Sequence, residues 1–293
     1  MSNIIALHRD LVSGEYQHGG YEHFKISDPK PRDIHKASVR DRLVHHALYR
    51  QLYPFFDRTF VSDSYSCRKE KGTHKAMNRF RTFAYHVSKN NTRTCWILKC
   101  DIRKFFASID HEVLMKSISI YMFDQRTCML VRNIVSSFCT TPGVKQASLP
   151  LGNLTSQLLV NIYMNEFDQF VKHKLKAKNY VRYADDFVVL SRDRDYLLKI
   201  LPHMKAFLHN RLKLEMHPDK VSIHTLASGI DFLGWVHFPE HRVLRTATKK
   251  RMFRRIEETN RKSETVISYL GLLTHGNARK LRQEIVRVST TQL

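Results

Sequence analysis

The chain lacks any run of about 18 apolar residues, which excludes a helical membrane span. Its N-terminus lacks the charged start, apolar stretch and small-residue cleavage site of a secretory signal. Cysteine is scarce and odd in number. Cys67, Cys95, Cys100, Cys128 and Cys139 form no tight cluster, which argues against a closed disulfide framework and against a thiolate metal site. Cys95 and Cys100 flank an apolar run and are expected to be core thiols. Histidine is plentiful at 17 residues, yet His45-His46 falls in a helical segment without other ligand types beside it, so no zinc site is assigned. No internal repeat or low-complexity linker interrupts the 293 residues. With 42% apolar residues the chain can bury a sizeable core, and a soluble intracellular enzyme is expected.

Acidic residues are few as well, 27 against 49 lysines and arginines, for a formal charge of +22. Such an excess suits a polyphosphate partner, because cations that neutralise phosphates release counterions. The charge is densest in Lys249-Lys250-Arg251-Met252-Phe253-Arg254-Arg255, where Met252, Phe253 and Ile256 recur at helical spacing. One face of this helix is expected to pack. The other, with Lys249, Lys250, Arg251, Arg254 and Arg255, is expected to meet nucleic acid, although a basic helix can also meet a membrane surface or an acidic protein.

Where acid is scarce, its clusters are informative. Residues 180–190 read Tyr-Val-Arg-Tyr-Ala-Asp-Asp-Phe-Val-Val-Leu, strand residues on both sides of an acidic pair, and predict a hairpin with Asp185 and Asp186 at its tip. Taken alone, such a pair is most simply a solvated turn. A second carboxylate in a similar setting changes the balance: Asp101 leaves the end of an apolar strand that begins at Trp96. Asp110, further on, suits the N-cap of the amphipathic helix that follows it. Hard cations such as Mg²⁺ take oxygen ligands, commonly one or two carboxylates plus substrate phosphates. A pair of them about 3.5–4 Å apart can activate an attacking oxygen and stabilise a leaving one. Asp101 and Asp185, supported by Asp186, would supply that ligand set.

Periodicity predicts helices over 3–13, 39–57 (ending near Pro54), 72–89, 111–121, 124–138, 153–174 and 194–211. Strands are expected around Tyr21, Phe24 and Ile26, over 95–101, in the hairpin 180–192, and around 220–224 and 230–237. Phe105 and Phe106 are read as strand-end residues of which one faces the core.

Several ordered segments together resemble a reverse transcriptase. They are Pro29-Lys-Pro-Arg-Asp-Ile34 with Asp41-Arg-Leu-Val-His-His-Ala-Leu48, then Ser64-Tyr-Ser-Cys-Arg-Lys-Glu-Lys-Gly-Thr-His74. Asp101-Ile-Arg-Lys-Phe-Phe-Ala-Ser-Ile-Asp-His111 and Tyr183-Ala-Asp-Asp186 follow, and then Leu214-Glu-Met-His-Pro-Asp-Lys220 and Phe232-Leu-Gly-Trp235. The match spans roughly residues 20–245. It implies an α+β right-hand polymerase, with fingers over 1–95, a palm over 96–242 with interleaved fingers elements, and a short helical thumb over 243–293. The implied activity is RNA-directed DNA polymerisation. Asp101, Asp185 and Asp186 would be catalytic and, with the Ile102 backbone carbonyl, would hold two Mg²⁺ ions or Mn²⁺ in their place. Lys30, Arg32, Phe106, Leu151, Gln157 and Lys220 fall at nucleotide-binding positions. Arg32 is the candidate fork on the triphosphate, and Phe106 the residue that closes on the sugar and excludes a 2′-hydroxyl. Template RNA, the RNA/cDNA duplex and dNTPs are the implied partners.

Leu149-Pro-Leu-Gly-Asn-Leu-Thr-Ser-Gln157 stands where most such enzymes have a Gln-Gly pair. With Leu151 in place of the glutamine and Ser156-Gln157 closing the segment, it is similar to the enzymes of diversity-generating retroelements. Those systems copy a template RNA into adenine-mutagenised cDNA and use a small basic oligomeric accessory protein. That resemblance implies a bacterial or phage-encoded, cytoplasmic protein. Group II intron and retron enzymes are the near alternatives, and a phage-defence reverse transcriptase is another setting for the same chemistry. The 293 residues are expected to hold no maturase or endonuclease region, and no Val-Thr-Gly triplet stands near the C-terminus. A non-catalytic RNA-binding scaffold is the reading from another class.

Overall fold

The apolar runs predicted as strands are near-continuous because the sheet they form is covered on both faces. The computed structural model describes residues 2–27, 31–122, 124–138 and 147–290. Helix α1 (Ser2–Ser13) leads into a hairpin of β1 (Tyr21–Ile26) and β2 (Arg32–Ala37), then α2 (Val39–Asp57) and α3 (Thr73–Val87). Strand β3 (Trp96–Asp101), a 3₁₀ turn (Phe105–Ser108), α4 (His111–Ser119), α5 (Gln125–Ser136) and α6 (Leu154–Gln169) follow. The hairpin β4 (Tyr180–Tyr183) and β5 (Asp186–Ser191), α7 (Arg194–Leu212) and β6 (Ser222–Thr225) complete a four-stranded antiparallel sheet of order β4-β5-β3-β6. A second small sheet joins β7 (Ile230–Phe232), β8 (Trp235–His237) and β9 (Arg242–Leu244), and α8 (Thr246–Glu258), α9 (Ser263–Leu273) and α10 (Arg279–Thr290) close the chain.

Alternate residues of the central strands feed two separate cores, as the two-residue period of a strand requires. Leu98, Cys100, Tyr180, Phe187 and Val189 join the apolar residues of α2, α4, α6 and α7. Ile97, Val181, Val188 and Leu190 point the other way, onto Ala76, Phe80, Phe83 and Ala84 of α3 and onto Phe232. A third core gathers Met252, Ile256, Val266, Leu273 and Ile285 of the last three helices around Trp235, Leu244 and Met77.

Several expectations need correction. The helix expected over 153–174 is α-helical to Gln169 and continues as a π-helix over Phe170–Lys174. Pro54 lies inside α2, which runs on to Asp57. Pro54 and Arg50 are exposed there, so solvent can satisfy the carbonyl that a proline leaves unpaired. Phe105 and Phe106 sit on a 3₁₀ turn rather than a strand end, although one of them, Phe105, is buried and the other half-buried, as expected. Asp110 does cap α4, accepting from the Val113 N–H at 3.0 Å. Cys95 and Cys100 are buried, and burial pushes the Cys95 thiol up to about 12.

Burial also sets how the fold responds to acid. His45 meets His18 Nε2 through its own Nε2 at 3.0 Å and Thr155 Oγ1 through Nδ1 at 3.3 Å, and burial, then His18, holds it down to about 4. His237, buried beside the Phe232 carbonyl at 3.2 Å, is held down to about 4 by burial. Both imidazoles are depressed in the fold, so the stability they support is complete above the unfolded value near 6.5 and is lost as pH falls towards 4. The expected loss is about 2 kcal/mol per imidazole between pH 7 and pH 5. Urea unfolding at the two pH values checks it, and a free energy that does not change would contradict this assignment.

Candidate active site

Antiparallel pairing of β3 with β5 sets Asp101 directly opposite Asp186, while Tyr183 pairs with Asp186 across the β4–β5 hairpin and leaves Ala184 and Asp185 as its two-residue turn. Three carboxylates thus meet at one end of the sheet. Ala184 adopts a φ of 56°, a left-handed conformation that a side chain ordinarily avoids. The turn is held from below by Arg182, whose Nη1 donates to the Ala184 carbonyl at 3.1 Å. Arg182 is fully buried and forks Asp168 of α6, Nε to Oδ1 at 2.8 Å and Nη2 to Oδ2 at 2.7 Å. Nη2 also donates to Ser64 Oγ at 3.1 Å, and Tyr180 Oη donates to Asp168 Oδ1 at 2.6 Å. Backbone bonds between residues 63–65 and Arg182 cover the outer edge of β4, so the hairpin is fixed on both sides.

The three acids differ in their neighbours. Asp101 accepts from Lys220 Nζ through both carboxylate oxygens, each at 3.0 Å. Lys220 ends the 3₁₀ turn Pro218–Lys220, which is docked by the His217 N–H on the Asp101 carbonyl at 2.8 Å. Asp186 has Lys99 Nζ 4.0 Å from Oδ2, and that ammonium also donates to the Asp231 carbonyl of β7. Asp186 Oδ1 is buried and has no hydrogen-bond partner among the described residues. Burial raises the Asp186 carboxyl to about 7, with Asp101 and Asp185 adding to the rise and Lys99 opposing it. Asp185 is raised as well, chiefly by burial and then by Asp101, while Lys220 and Arg32 pull it back.

This donor set fits a hard divalent cation. Its ligands are all oxygen, and one buried carboxylate oxygen lacks a donor. Among the described residues no three acidic, imidazole or thiolate groups stand close enough to hold an ion as they lie, and the Lys220 ammonium takes both oxygens of Asp101. The bridge between Ile102 and Met216 is made by the flanking residues, with Arg103 N–H on the Glu215 carbonyl and His217 N–H on that of Asp101. The Ile102 carbonyl takes no part in that pair of bonds.

Of the nucleotide-site candidates, Lys220 lies on Asp101 and Arg32 is near enough to act on Asp185. Phe106 is half-buried with its ring edge-on to Phe105, 5.5 Å between centroids, and its carbonyl accepts from the Leu149 N–H at 2.8 Å. That bond brings the Leu149–Leu151 stretch beside it. Leu151 is half-buried, its carbonyl accepting from the His35 N–H at 3.0 Å, and Gln157 is half-buried on the second turn of α6. Arg32 is exposed at the start of β2. Lys30 lies outside the described residues. Of the basic helix, Met252 and Ile256 are buried as expected. Its charged face is partly neutralised within the chain: Lys249 stands 3.8 Å from Glu284, and Arg254 and Arg255 stand 3.5 and 3.4 Å from Glu258. Lys250 is exposed and Arg251 half-buried. Exposed ion pairs like these contribute little and give way to phosphate readily.

Sequence reasoning missed Lys99 and Arg182. The signal for Arg182 was a charge inside an otherwise apolar strand, which a fully buried strand accepts only with a partner.

A sequence profile described as reverse transcriptase (RNA-dependent DNA polymerase) matches residues 26–237. The chain is 27% identical over 281 residues to Protein YkfC of Escherichia coli (strain K12), covering 83% of this chain and 71% of that protein. It is 23% identical over 292 residues to the Group II intron-encoded protein LtrA of Lactococcus lactis subsp. cremoris, covering 78% and 47%. The Retron Ec83 reverse transcriptase of Escherichia coli is 28% identical over 116 residues, 38% of this chain and 36% of that one. Among solved structures, telomerase from Candida tropicalis in complex with a TWJ fragment of telomeric RNA superposes with a TM-score of 0.59 at 11% identity, over 97% of this chain and 56% of its own. A truncated apo form gives 0.57, over 83% and 60%. The chain therefore spans about half the length of LtrA and of the telomerase, and the fold it shares with the latter is that of a right-hand polymerase.

Proposed function

Because the chain belongs to the reverse transcriptase (RNA-dependent DNA polymerase) family, we propose that it copies a template RNA into DNA at the acidic end of the β4-β5-β3-β6 sheet. The observation that carries this reading is the register that sets Asp101 against Asp186 beside Asp185, with a buried carboxylate oxygen left unpartnered in a chain of charge +22. Asp101, Asp185, Asp186 and the Ile102 carbonyl would hold two Mg²⁺ ions, or Mn²⁺ in their place. When bound, such ions supply Lewis-acid stabilisation of the charge that develops in phosphoryl transfer. The remaining work belongs to the chain. Arg32 forks the triphosphate of the incoming dNTP, Lys30 adds charge beside it, and Lys220 passes from Asp101 to the nucleotide. Residues 1–95, 96–242 and 243–293 act as fingers, palm and thumb, with α8–α10 of the last segment packed together against Trp235 and Met77 of the other two. The telomerase neighbour is described as bound to RNA, which supports an RNA partner for this fold. Lys249, Lys250, Arg251, Arg254 and Arg255 would grip the RNA/cDNA duplex by its phosphates. No helix among the described residues is long and apolar enough to cross a membrane.

Phe106 stands as the gate against ribonucleotides. Phe106→Ala is expected to admit rNTPs at least tenfold more readily relative to dNTPs, measured by competitive incorporation; unchanged exclusion would remove the role. Leu151 offers dispersion but no directional hydrogen bond to the nucleotide. Leu151→Gln is therefore expected to raise selectivity about tenfold, read by sequencing cDNA, and an unchanged error spectrum would count against it.

For the biological setting we favour a diversity-generating retroelement, on Leu151 and the Ser156-Gln157 pair, with a small basic accessory protein as partner. The similarity to LtrA and to the Ec83 retron enzyme supports an intron or retron setting to the same degree. Extension of a primer on defined RNA with dNTPs and Mg²⁺ decides between them. Errors concentrated opposite template adenines support the first setting, synthesis without adenine bias supports the second, and no extension even with cognate RNA and accessory protein would favour a binding scaffold.

A further inference from the structure

Asn153 is buried at the N-terminus of α6 with an extended backbone, φ −110° and ψ 142°. An asparagine there ordinarily accepts from the first free amides of its helix. Asn153 makes no such bond. Its amide reaches sideways to β2 instead, Nδ2 donating to the His35 carbonyl at 2.7 Å and Oδ1 accepting from the Ala37 N–H at 3.2 Å. Two residues earlier the Leu151 carbonyl accepts from the His35 N–H at 3.0 Å. Between them Gly152 has a φ of 106°, and a Cβ at that position would come within 2.8 Å of Ile34 Cγ2. The segment thus lies against β2 as an added edge, closer than any residue but glycine allows at its centre.

We propose that Asn153 is a positioning residue that clips β2 to the start of α6 and so sets where Arg32, at the head of the same strand, stands over the acidic turn. The helix forgoes its cap for this, which a purely local stabilising role would not require. The role rests on the reading of Arg32 as the triphosphate fork. Pairing is antiparallel from Ile26↔Arg32 to Tyr21↔Ala37, so the clip at His35 and Ala37 anchors the base of the hairpin from which Arg32 projects.

Asn153→Ser keeps a side chain able to cap α6 but cannot span to both β2 groups. It is expected to raise the dNTP KM about tenfold and to change kcat by no more than about twofold. Hydrogen exchange at the Ala37 amide should quicken while α6 stays protected. In an Arg32→Ala background the same substitution should add no more than about twofold to KM, because both changes act through one contact. Asn153→Asp, which keeps the Ala37 bond but sets a carboxylate against the His35 carbonyl, should give an intermediate rise and serves if the serine variant does not fold. If Arg32→Ala raises KM while Asn153→Ser and Asn153→Asp leave it unchanged, or if the rises multiply fully in the double variant, the positioning role is wrong. If Arg32→Ala itself leaves KM unchanged, it is the triphosphate reading of Arg32 that fails, and the role of Asn153 falls with it.

Discussion

Asp186→Asn is expected to stabilise the metal-free protein by about 2–4 kcal/mol at pH 8 and to cut nucleotide incorporation by about a thousandfold. Both effects have one cause. Asp186 is held in the sheet beside Asp101 and Asp185, one of its oxygens is buried without a donor, and the nearest cation, Lys99, stands 4.0 Å away. Burial first, and the neighbouring carboxylates after it, raise it to about 7. The folded pKa lies above the unfolded value near 3.8, so the carboxyl costs nothing below about pH 4 and its cost grows as pH rises through 7. Asparagine removes that cost at pH 8 and gains nothing at pH 4, while removing the negative charge on which the proposed chemistry depends. Urea unfolding in chelator at the two pH values, with single-nucleotide incorporation beside it, tests the pair of effects. An equal gain at both pH values, or incorporation near the wild-type rate, would contradict the assignment.

Arg182→Met is expected to cost 3–5 kcal/mol, on the order found when one partner of a buried ion pair is removed. The guanidinium and the Asp168 carboxylate are both fully buried, and the methionine leaves Asp168 with only the Tyr180 hydroxyl among the partners described above. It also releases the Ala184 carbonyl and Ser64 Oγ. Arg182→Lys should rescue little, since an ammonium cannot fork Asp168 and still reach the turn. Combining Arg182→Met with Asp168→Asn should recover part of the loss, because the stranded charge is then gone. Chemical unfolding of the three variants checks this order, and a loss below about 1 kcal/mol in Arg182→Met would show that the network does not hold the hairpin.

The acidic end was legible because it is built from local signals. An apolar strand that ends in Asp101, and a hairpin whose turn is too short to place Asp185 and Asp186 elsewhere, are each read within about ten residues of chain. The alternation of Phe105 and Phe106 was readable for the same reason, although the element turned out to be a 3₁₀ turn. What escaped depends on partners distant in sequence. Nothing near Asn153 says that its amide belongs to β2, 116 and 118 residues away along the chain. Nothing in Pro218–Lys220 says that Lys220 lies on Asp101, 119 residues earlier. The basic face of α8 was visible as a run of charge, but its partial neutralisation by Glu284 depends on how α10 packs.

Primer extension on a defined RNA template with dNTPs and Mg²⁺, wild type against Asp185→Asn prepared alongside, asks whether nucleotides are joined at the acidic turn. Asp185 occupies the turn itself, where asparagine fits without disturbing a strand, so the variant should fold as the wild type does. Template-directed DNA is expected from the wild type and unextended primer from the variant. Extension by the variant at the wild-type rate would mean that the acidic turn is not where nucleotides are joined.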